Sequence, residues 1–123
     1  MLFRSVGASP ARDLAPQSIP ADFPAESLVV PQPIIYSASD GMQIHGQLFL
    51  PPDGAPAQKH AALIFMHGGS RRQMLLGWHY MDYYNNAYAM NQYLASQGYV
   101  VFSINYRSGI GYGQAFREAV NQG

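Results

Sequence analysis

Residues 61–70 read Ala61-Ala62-Leu63-Ile64-Phe65-Met66-His67-Gly68-Gly69-Ser70, an apolar run that ends on paired glycines. The apolar part has the length and composition of a buried β-strand, and the glycines after it leave backbone N–H groups unobstructed by side chains. Such N–H groups can bind an oxyanion, the negatively charged oxygen that forms during acyl transfer. The stretch therefore predicts a strand that leads into an anion-binding loop.

A second strand-and-glycine unit follows further along the chain. Residues 99–105 form another continuous apolar run, and the stretch 106–113 after it contains three glycines. Between the two units, residues 83–97 carry apolar side chains at three- and four-residue spacings, which predicts an amphipathic helix closed by Gly98. Strand, helix and strand in this order predict a parallel pair with a right-handed crossover, and hence an α/β fold.

The region before these units divides into a linker and a hairpin. Residues 1–33 contain six prolines, which disfavour both helix and sheet. Residues 34–38 and 42–50 then alternate in polarity around the turn dipeptide Asp40-Gly41, which predicts a β-hairpin. We therefore predict a linker over residues 1–32 and a domain over residues 33–123, in which residues 114–120 begin a further helix.

Charge and composition exclude several classes of function. The 123 residues include 7 basic and 7 acidic side chains, and no basic stripe that would favour nucleic acid or an anionic membrane. Cysteine is absent, so the sequence contains neither a disulfide framework nor a thiolate metal site. No apolar run approaches the roughly 18 residues of a membrane span. We expect no nucleic-acid or membrane partner, and the compartment stays open.

For the other candidate residues, structural roles are favoured over chemical ones. His79 and Asp82 could both face a metal from a helix, but no third ligand is evident, and we predict neither a metal nor a cofactor. Arg71 and Arg72 could bind a substrate carboxylate, although solvated loop charges are the favoured interpretation. An aromatic cluster is expected to pack in the core or at an interface; its members are Trp78, Tyr80, Tyr83, Tyr84 and Tyr88.

Four motifs, taken in order, resemble the prolyl oligopeptidase family of serine peptidases, within it the dipeptidyl aminopeptidase and acylaminoacyl peptidase branch. They are residues 39–46 of the hairpin, His67-Gly68-Gly69, residues 97–101, and residues 105–107 leading to 111–113. The resemblance implies an incomplete α/β-hydrolase fold, made of the N-terminal hairpin and a β-α-β unit of a mostly parallel sheet. It also implies an upstream β-propeller, with residues 2–4 as its last strand and the proline-rich stretch as its exit linker.

The same resemblance assigns site residues. Gly69 is carried over as the backbone N–H donor to the oxyanion, with Gly68 and His67 as supports of the loop; other branches have a tyrosine where His67 stands. The catalytic serine, aspartate and histidine are expected downstream of the last motif, and Gly-x-Ser-x-Gly does not occur in the 123 residues. The order Arg107-Ser108-Gly109 departs from the family's Arg-Gly-Ser. Arg107 directly follows a buried strand, so it is expected to need either an acidic partner or a cage of carbonyl groups, and to hold the loop.

The sequence thus predicts a fragment of a serine-type peptidase that hydrolyses short peptides through an acyl-enzyme intermediate, with the oxyanion loop present and the triad absent, so that the chain alone is inactive. Two alternatives stay open. One is a carboxylesterase or lipase-like hydrolase fragment, which would share the glycine loop without a propeller. The other is a non-catalytic module that packs on another chain, or on itself through an exposed sheet edge.

Overall fold

The computed structural model describes residues 15–52, 59–69 and 71–120. The strands are β1 (Gln32–Ser37), β2 (Gln43–Phe49), β3 (Ala62–Met66) and β4 (Val100–Asn105). The helices are α1 (Asp82–Ser96) and the short α2 (Gln114–Arg117), and two 3₁₀ turns span Pro16–Ser18 and Ala25–Ser27. The predicted propeller strand at residues 2–4, Ser70 and most of the proline-rich loop after β2 lie outside the described residues. In the described part, no helix is both long and apolar enough to cross a membrane.

The four strands form one mixed sheet in the order β1-β2-β4-β3. β1 and β2 pair antiparallel from Gln32 opposite Leu48 to Ser37 opposite Gln43, which confirms the hairpin around Asp40-Gly41. β3 and β4 are parallel, as the strand-helix-strand pattern predicts. The expectation of a mostly parallel sheet is wrong for the described strands, because β2 runs antiparallel to both of its neighbours. A hairpin supplies strands of opposite direction, so one of the two must oppose β4.

Helix α1 confirms the predicted helix and its end at Gly98. Its amphipathic pattern is not confirmed, because the apolar side chains of Tyr83 and Met90 are exposed whereas the polar side chains of Asn91 and Gln92 are buried. Gly98 follows the helix with φ of 87°, a left-handed conformation that glycine adopts without a steric penalty. The N–H of Gly98 donates to the carbonyl of Ala95 at 3.0 Å, and the N–H of Tyr99 donates to that of Leu94 at 3.1 Å. These are the two hydrogen bonds of a Schellman motif, which satisfies carbonyls that the helix end would otherwise leave unpaired.

The core lies between α1 and one face of β2 and β4. Phe49 and Val101 from the sheet pack with Tyr88 and Ala95 from the helix, and each is at least 95% buried. The rings of Phe49 and Tyr88 meet edge to face at 5.6 Å. Full burial of side chains of this size stabilises a fold by roughly 1.5–3 kcal/mol each. This cluster fixes the direction in which α1 leaves the glycine loop.

The end of the proline-rich stretch packs against the same helix. The side-chain amide of Gln92 accepts from the N–H of Val29 and donates to its carbonyl, both at 2.8 Å. The rings of Phe23 and Trp78 lie 5.9 Å apart. Residues 23–29 therefore contact the predicted domain across the proposed boundary at residue 32.

Strand β3 is exposed, although the sequence predicts it as buried. The exposed fractions are 40% for Leu63, 66% for Ile64 and 67% for Met66. The reason is its place in the sheet, since β3 is the terminal strand and pairs only with β4 among the described residues. An apolar groove of about 450 Å³ runs between β3 and α1, lined among others by Ile64 and Met90.

Candidate functional site

Three loops meet at one edge of the sheet. Met66 of β3 lies opposite Ile104 of β4, so the loops that follow these two parallel strands begin side by side. His45 of β2 lies opposite Asn105, which brings the β1–β2 turn to the same edge. Ligands of α/β proteins bind beyond the carboxyl ends of parallel strands. The glycine loop predicted from the sequence is therefore at the position where a site is expected.

The glycine loop leaves its second glycine open to a ligand. Gly68 and Gly69 are both exposed, and Gly69 has φ of 67°. Across residues 15–52, 59–69 and 71–120, the N–H of Gly69 donates to no acceptor. A Cβ at this position would lie 3.3 Å from Cγ of Arg72, in addition to the strain of a positive φ. Conformation and packing thus both favour glycine here, and its amide is free to bind an anion.

His67 is a buried support of the loop. Its side chain is 3% exposed and its ring stacks on Tyr106, with centroids 4.5 Å apart. Nδ1 lies 3.3 Å from the carbonyl of Gly68, and Nε2 has no partner in the described part of the chain. Burial lowers the pKa of this ring below 6.5, and the nearby charge of Arg72 lowers it further, against the opposing effect of the Gly68 carbonyl. A buried imidazole that stays neutral is better suited to packing than to proton transfer.

The loop's carbonyl groups are held by two tyrosines. The hydroxyl of Tyr84, in the first turn of α1, donates to the carbonyl of Gly68 at 2.7 Å. The hydroxyl of Tyr106, directly after β4, donates to the carbonyl of His67 at 2.7 Å. In the sequence, Tyr84 belongs to an aromatic cluster and Tyr106 to a family motif, and neither pattern specifies the partner of the hydroxyl.

Asn105, the last residue of β4, fixes the chain that follows the glycine loop. Its side chain accepts from the N–H of Met74 at 2.8 Å and donates to the carbonyl of Met74 at 3.0 Å. It also donates to the hydroxyl of Tyr112 at 2.8 Å. Asn105 and Met74 are both buried. One amide thus ties the strand end to two loops of the site.

Of the two kinds of partner expected for Arg107, the structure shows the acidic one. The guanidinium of Arg107 donates to both carboxylate oxygens of Asp40, at 2.6 and 3.0 Å. Asp40 lies in the hairpin turn, where its carboxylate also accepts from the N–H of Met42 at 3.1 Å. These hydrogen bonds, that from Arg107 first, lower the pKa of Asp40 from 3.8 to about 2. The pair links the hairpin turn to the end of β4.

The order Ser108-Gly109, which departs from the order in the family, can be related to the backbone conformation and packing at these two positions. Ser108 adopts φ of 69°, a conformation that costs a residue with a Cβ roughly 1–2 kcal/mol. Gly109 packs so tightly that a Cβ there would lie 2.7 Å from the carbonyl oxygen of Arg72. The N–H of Ile110 donates to that same oxygen at 3.2 Å. Close contact between the two loops therefore requires glycine at position 109, and Ser108 carries the strained conformation.

The remaining candidates have local partners. His79 uses both ring nitrogens on backbone groups, with Nδ1 accepting from Met81 at 3.0 Å and Nε2 lying 3.1 Å from the carbonyl of Gln73. The part of the chain that the structure describes has no group of three or more potential metal ligands. Arg71 lies 3.6 Å from Glu118, and Arg72 donates to the sulfur of Met81. In the aromatic cluster, two members are buried and three are exposed: Tyr84 and Tyr88, against Trp78, Tyr80 and Tyr83.

The chain is similar to known proteins both in sequence and in structure. The model of the prolyl oligopeptidase family matches residues 82–123. An uncharacterized peptidase of Bacillus subtilis (strain 168), YuxL, is 32% identical over 94 residues, which cover 76% of this chain and 13% of that protein. Among solved structures, a puromycin hydrolase aligns with a TM-score of 0.56 at 29% identity, over 72% of this chain and 13% of that one. A puromycin-hydrolyzing peptidase of Mycobacterium tuberculosis gives a TM-score of 0.56 at 27% identity, with the same coverage.

The chain spans 13% of the length of each of these relatives. The chain is thus similar, in sequence and in structure, to the prolyl oligopeptidase family and to peptidases, with the family match itself confined to residues 82–123.

Proposed function

We propose that the natural protein carrying this chain hydrolyses short peptides as a serine peptidase, and that the N–H of Gly69 helps to bind the oxyanion. In this reaction a serine attacks the substrate carbonyl, a histidine takes the serine's proton, and an aspartate orients the histidine. The carbonyl oxygen becomes negatively charged, and a donor placed beforehand stabilises that charge. The observation that carries the proposal is the exposed, positive-φ Gly69 at the carboxyl end of β3.

The relatives support the substrate class that we propose. The solved relatives are described as puromycin hydrolases, and puromycin contains an aminoacyl amide. We therefore propose substrates with a short N-terminal acyl part, either an amino acid, a dipeptide or an acylated residue, in keeping with the dipeptidyl aminopeptidase and acylaminoacyl peptidase branch. The triad would come from sequence outside the motifs described here. We also propose an α/β-hydrolase domain from residue 33, with residues 1–32 as the exit linker of a β-propeller.

Activity-based labelling tests the reaction class. The natural protein, expressed from its own gene, is treated with a fluorophosphonate probe and assayed on aminoacyl and dipeptidyl p-nitroanilides beside p-nitrophenyl esters. We expect one labelled serine and cleavage of the anilides. Cleavage of esters alone would favour the carboxylesterase alternative, and absence of both labelling and cleavage would favour a non-catalytic module.

A pair of glycine variants tests the role of Gly69. Gly69→Ala and Gly41→Ala both place a Cβ at a positive φ, of 67° and 84°, on an exposed loop. Only the first is at the proposed oxyanion position. Loss of one oxyanion donor costs roughly 100- to 1,000-fold in kcat. Alanine keeps the backbone N–H, but at position 69 its Cβ strains the positive φ and crowds Arg72, which displaces the donor. We therefore expect Gly69→Ala to lower kcat by part of that factor with little change in KM, and Gly41→Ala to leave kcat unchanged. Equal effects of the two variants would contradict the assignment.

One observation favours a second candidate function, a module that packs on another chain. The apolar side chains of Ile64 and Met66 are about two-thirds exposed on a terminal strand. Unpaired strands with apolar side chains readily pair with further strands. For the chain by itself, we therefore propose that the partner is a second copy, bound through β3.

A further inference from the structure

The hydroxyl groups that hold the glycine loop come from two separate elements. Tyr84 lies in the first turn of α1 and is 5% exposed, whereas Tyr106 follows β4 and is half-buried. Each donates one hydrogen bond of 2.7 Å, and the two acceptors are the consecutive carbonyls of Gly68 and His67. The loop is thus held from both sides of the parallel β3–β4 pair.

Holding a carbonyl also fixes the next N–H. The carbonyl of Gly68 and the N–H of Gly69 belong to one planar peptide unit, and in a trans unit the two bonds point in opposite directions. The described part of the chain has no cis peptide bond. The hydrogen bond from Tyr84 therefore sets the direction of the Gly69 N–H, and that from Tyr106 sets the direction of the Gly68 N–H. A hydrogen bond to the carbonyl also polarises the peptide unit and strengthens its N–H as a donor.

We propose that Tyr84 and Tyr106 are positioning residues of the oxyanion loop, with Tyr84 acting on Gly69 and Tyr106 on Gly68. This inference rests on the proposed function. The two tyrosines touch no substrate; they act through the peptide units that would. Because oxyanion binding requires donors already oriented before the charge develops, a fixed peptide plane contributes to the transition state and not to substrate binding.

The packing around the two tyrosine rings keeps their hydroxyls in place. The ring of His67 stacks on Tyr106 and meets Tyr84 edge to face, with the Tyr84 centroid at 6.3 Å and an interplanar angle of 89°. His79 packs on the other side of Tyr84, at 5.2 Å. Burial raises the pKa of Tyr106 above 10.0, and Tyr84 raises it further. The Tyr106 hydroxyl therefore keeps its donor proton through the neutral range.

Removing the hydroxyl alone separates positioning from packing. Tyr84→Phe and Tyr106→Phe keep the ring contacts and delete only the hydrogen bond. Tyr88→Phe is the matched control, since Tyr88 lies one turn further along α1, is equally buried at 5%, and has its hydroxyl bonded to Gln92 at 3.0 Å. All three are made in the natural protein, and kcat is normalised to the serine titrated by a fluorophosphonate, so that misfolded protein is not counted.

The readout is the split between kcat and KM on an aminoacyl p-nitroanilide, together with the affinity of a peptidyl aldehyde, which forms a tetrahedral adduct. We expect Tyr84→Phe to lower kcat roughly tenfold, a part of the effect of losing a donor, at unchanged KM. We expect a smaller loss for Tyr106→Phe, and less than a twofold change for Tyr88→Phe. Aldehyde affinity should fall in parallel with kcat.

Several results would overturn the inference. Unchanged kcat in Tyr84→Phe, a change in KM alone, or an equal loss in Tyr88→Phe would each show that the hydroxyl does not orient the donor. In all of these cases the parent enzyme still cleaves its substrate, so the proposed function stands. A natural protein with no labelled serine and no cleavage would overturn both proposals together.

Discussion

At the scale of single residues, the enclosed ring of His67 makes the loop sensitive to pH. Its pKa in the folded protein lies below the ordinary 6.5, mainly because burial disfavours the charged ring. As pH falls below about 6.5, the unfolded chain takes up a proton before the folded one does, so the free energy of unfolding decreases. Above that pH both states are neutral and the effect vanishes. Protonation would also place a hydrogen on Nε2, which has no acceptor among the described residues.

We expect His67→Gln to flatten the stability profile between pH about 7.5 and about 5 relative to the parent protein. Urea unfolding at a series of pH values in this window measures the difference. The amide of glutamine does not titrate there, so any slope left in the variant comes from other groups. A parent profile that rises as pH falls would have the wrong sign and contradict the interpretation.

The pair of Asp40 and Arg107 acts at lower pH and with the same sign. The pKa of Asp40 is lowered from 3.8 to about 2, so the carboxylate stabilises the fold above pH 3.8 and loses that effect as pH falls through about 2. Asp40 is 42% exposed, and solvent and salt therefore weaken the interaction. We expect Asp40→Asn to lower the melting temperature near neutral pH, by less in high salt, and to approach that of the parent protein as pH falls below about 2. Thermal melts of both proteins at low and high salt test this, and a gap that persists at the lowest pH would exclude ionisation as the cause.

The type and position of a residue can predict that its side chain requires a partner, but they seldom predict which residue that partner is. The position of Arg107 after a strand predicts either an acidic partner or a carbonyl cage. Asp40 is distant in sequence and meets Arg107 only because the hairpin turn returns to the end of β4. The glycines of the loop are equally predictable, because positive φ is a local requirement. The hydroxyl bonds of Tyr84 and Tyr106 depend on three elements meeting, which no local pattern specifies.

At the scale of elements, Asn105 joins β4 to the loop that follows the glycines. Asn105→Ala would leave both the N–H and the carbonyl of Met74 without their partners in a buried environment. An unsatisfied buried group costs about 1–3 kcal/mol. We expect a loss of about 2–4 kcal/mol in the free energy of unfolding, measured by urea denaturation.

Asn91→Ala is the matched control for this variant. Asn91 is 1% exposed, as buried as Asn105, but its Nδ2 has no acceptor within the described residues. Removing it should therefore cost less than removing Asn105. Equal losses would mean that burial alone, and not the two bonds to Met74, accounts for the effect.

The elements themselves could largely be predicted, whereas their exposure could not. The hairpin, α1 and the parallel β3–β4 pair follow from turn residues and hydrophobic spacing, which are local signals. An apolar run such as residues 62–66 predicts a strand equally well, but burial depends on which strand becomes its neighbour. Here β2, and not β3, occupies the central position beside β4, and β3 is left at the end of the sheet.

At the scale of the whole molecule, the two terminal strands of the sheet differ in character. β1 contains Pro33, which lacks an N–H and disfavours pairing with a further strand. β3 reads Ala-Leu-Ile-Phe-Met, with neither proline nor charge. Its side chains also border the apolar groove beside α1. The sheet thus has one terminal strand protected against association and one that favours it.

We expect the 123-residue chain to self-associate through β3, because pairing there would bury exposed apolar side chains and satisfy unpaired backbone groups together. Ile64→Arg should shift the chain toward monomer, since Ile64 is 66% exposed and a charge there would be buried on pairing. Ile35→Arg is the matched control, being 58% exposed on β1, the opposite terminal strand. Sedimentation velocity over a range of concentrations gives the oligomeric state, and far-UV circular dichroism confirms that both variants fold. A parent chain that stays monomeric, or an Ile35→Arg variant that dissociates as readily, would show that β3 is not the pairing surface.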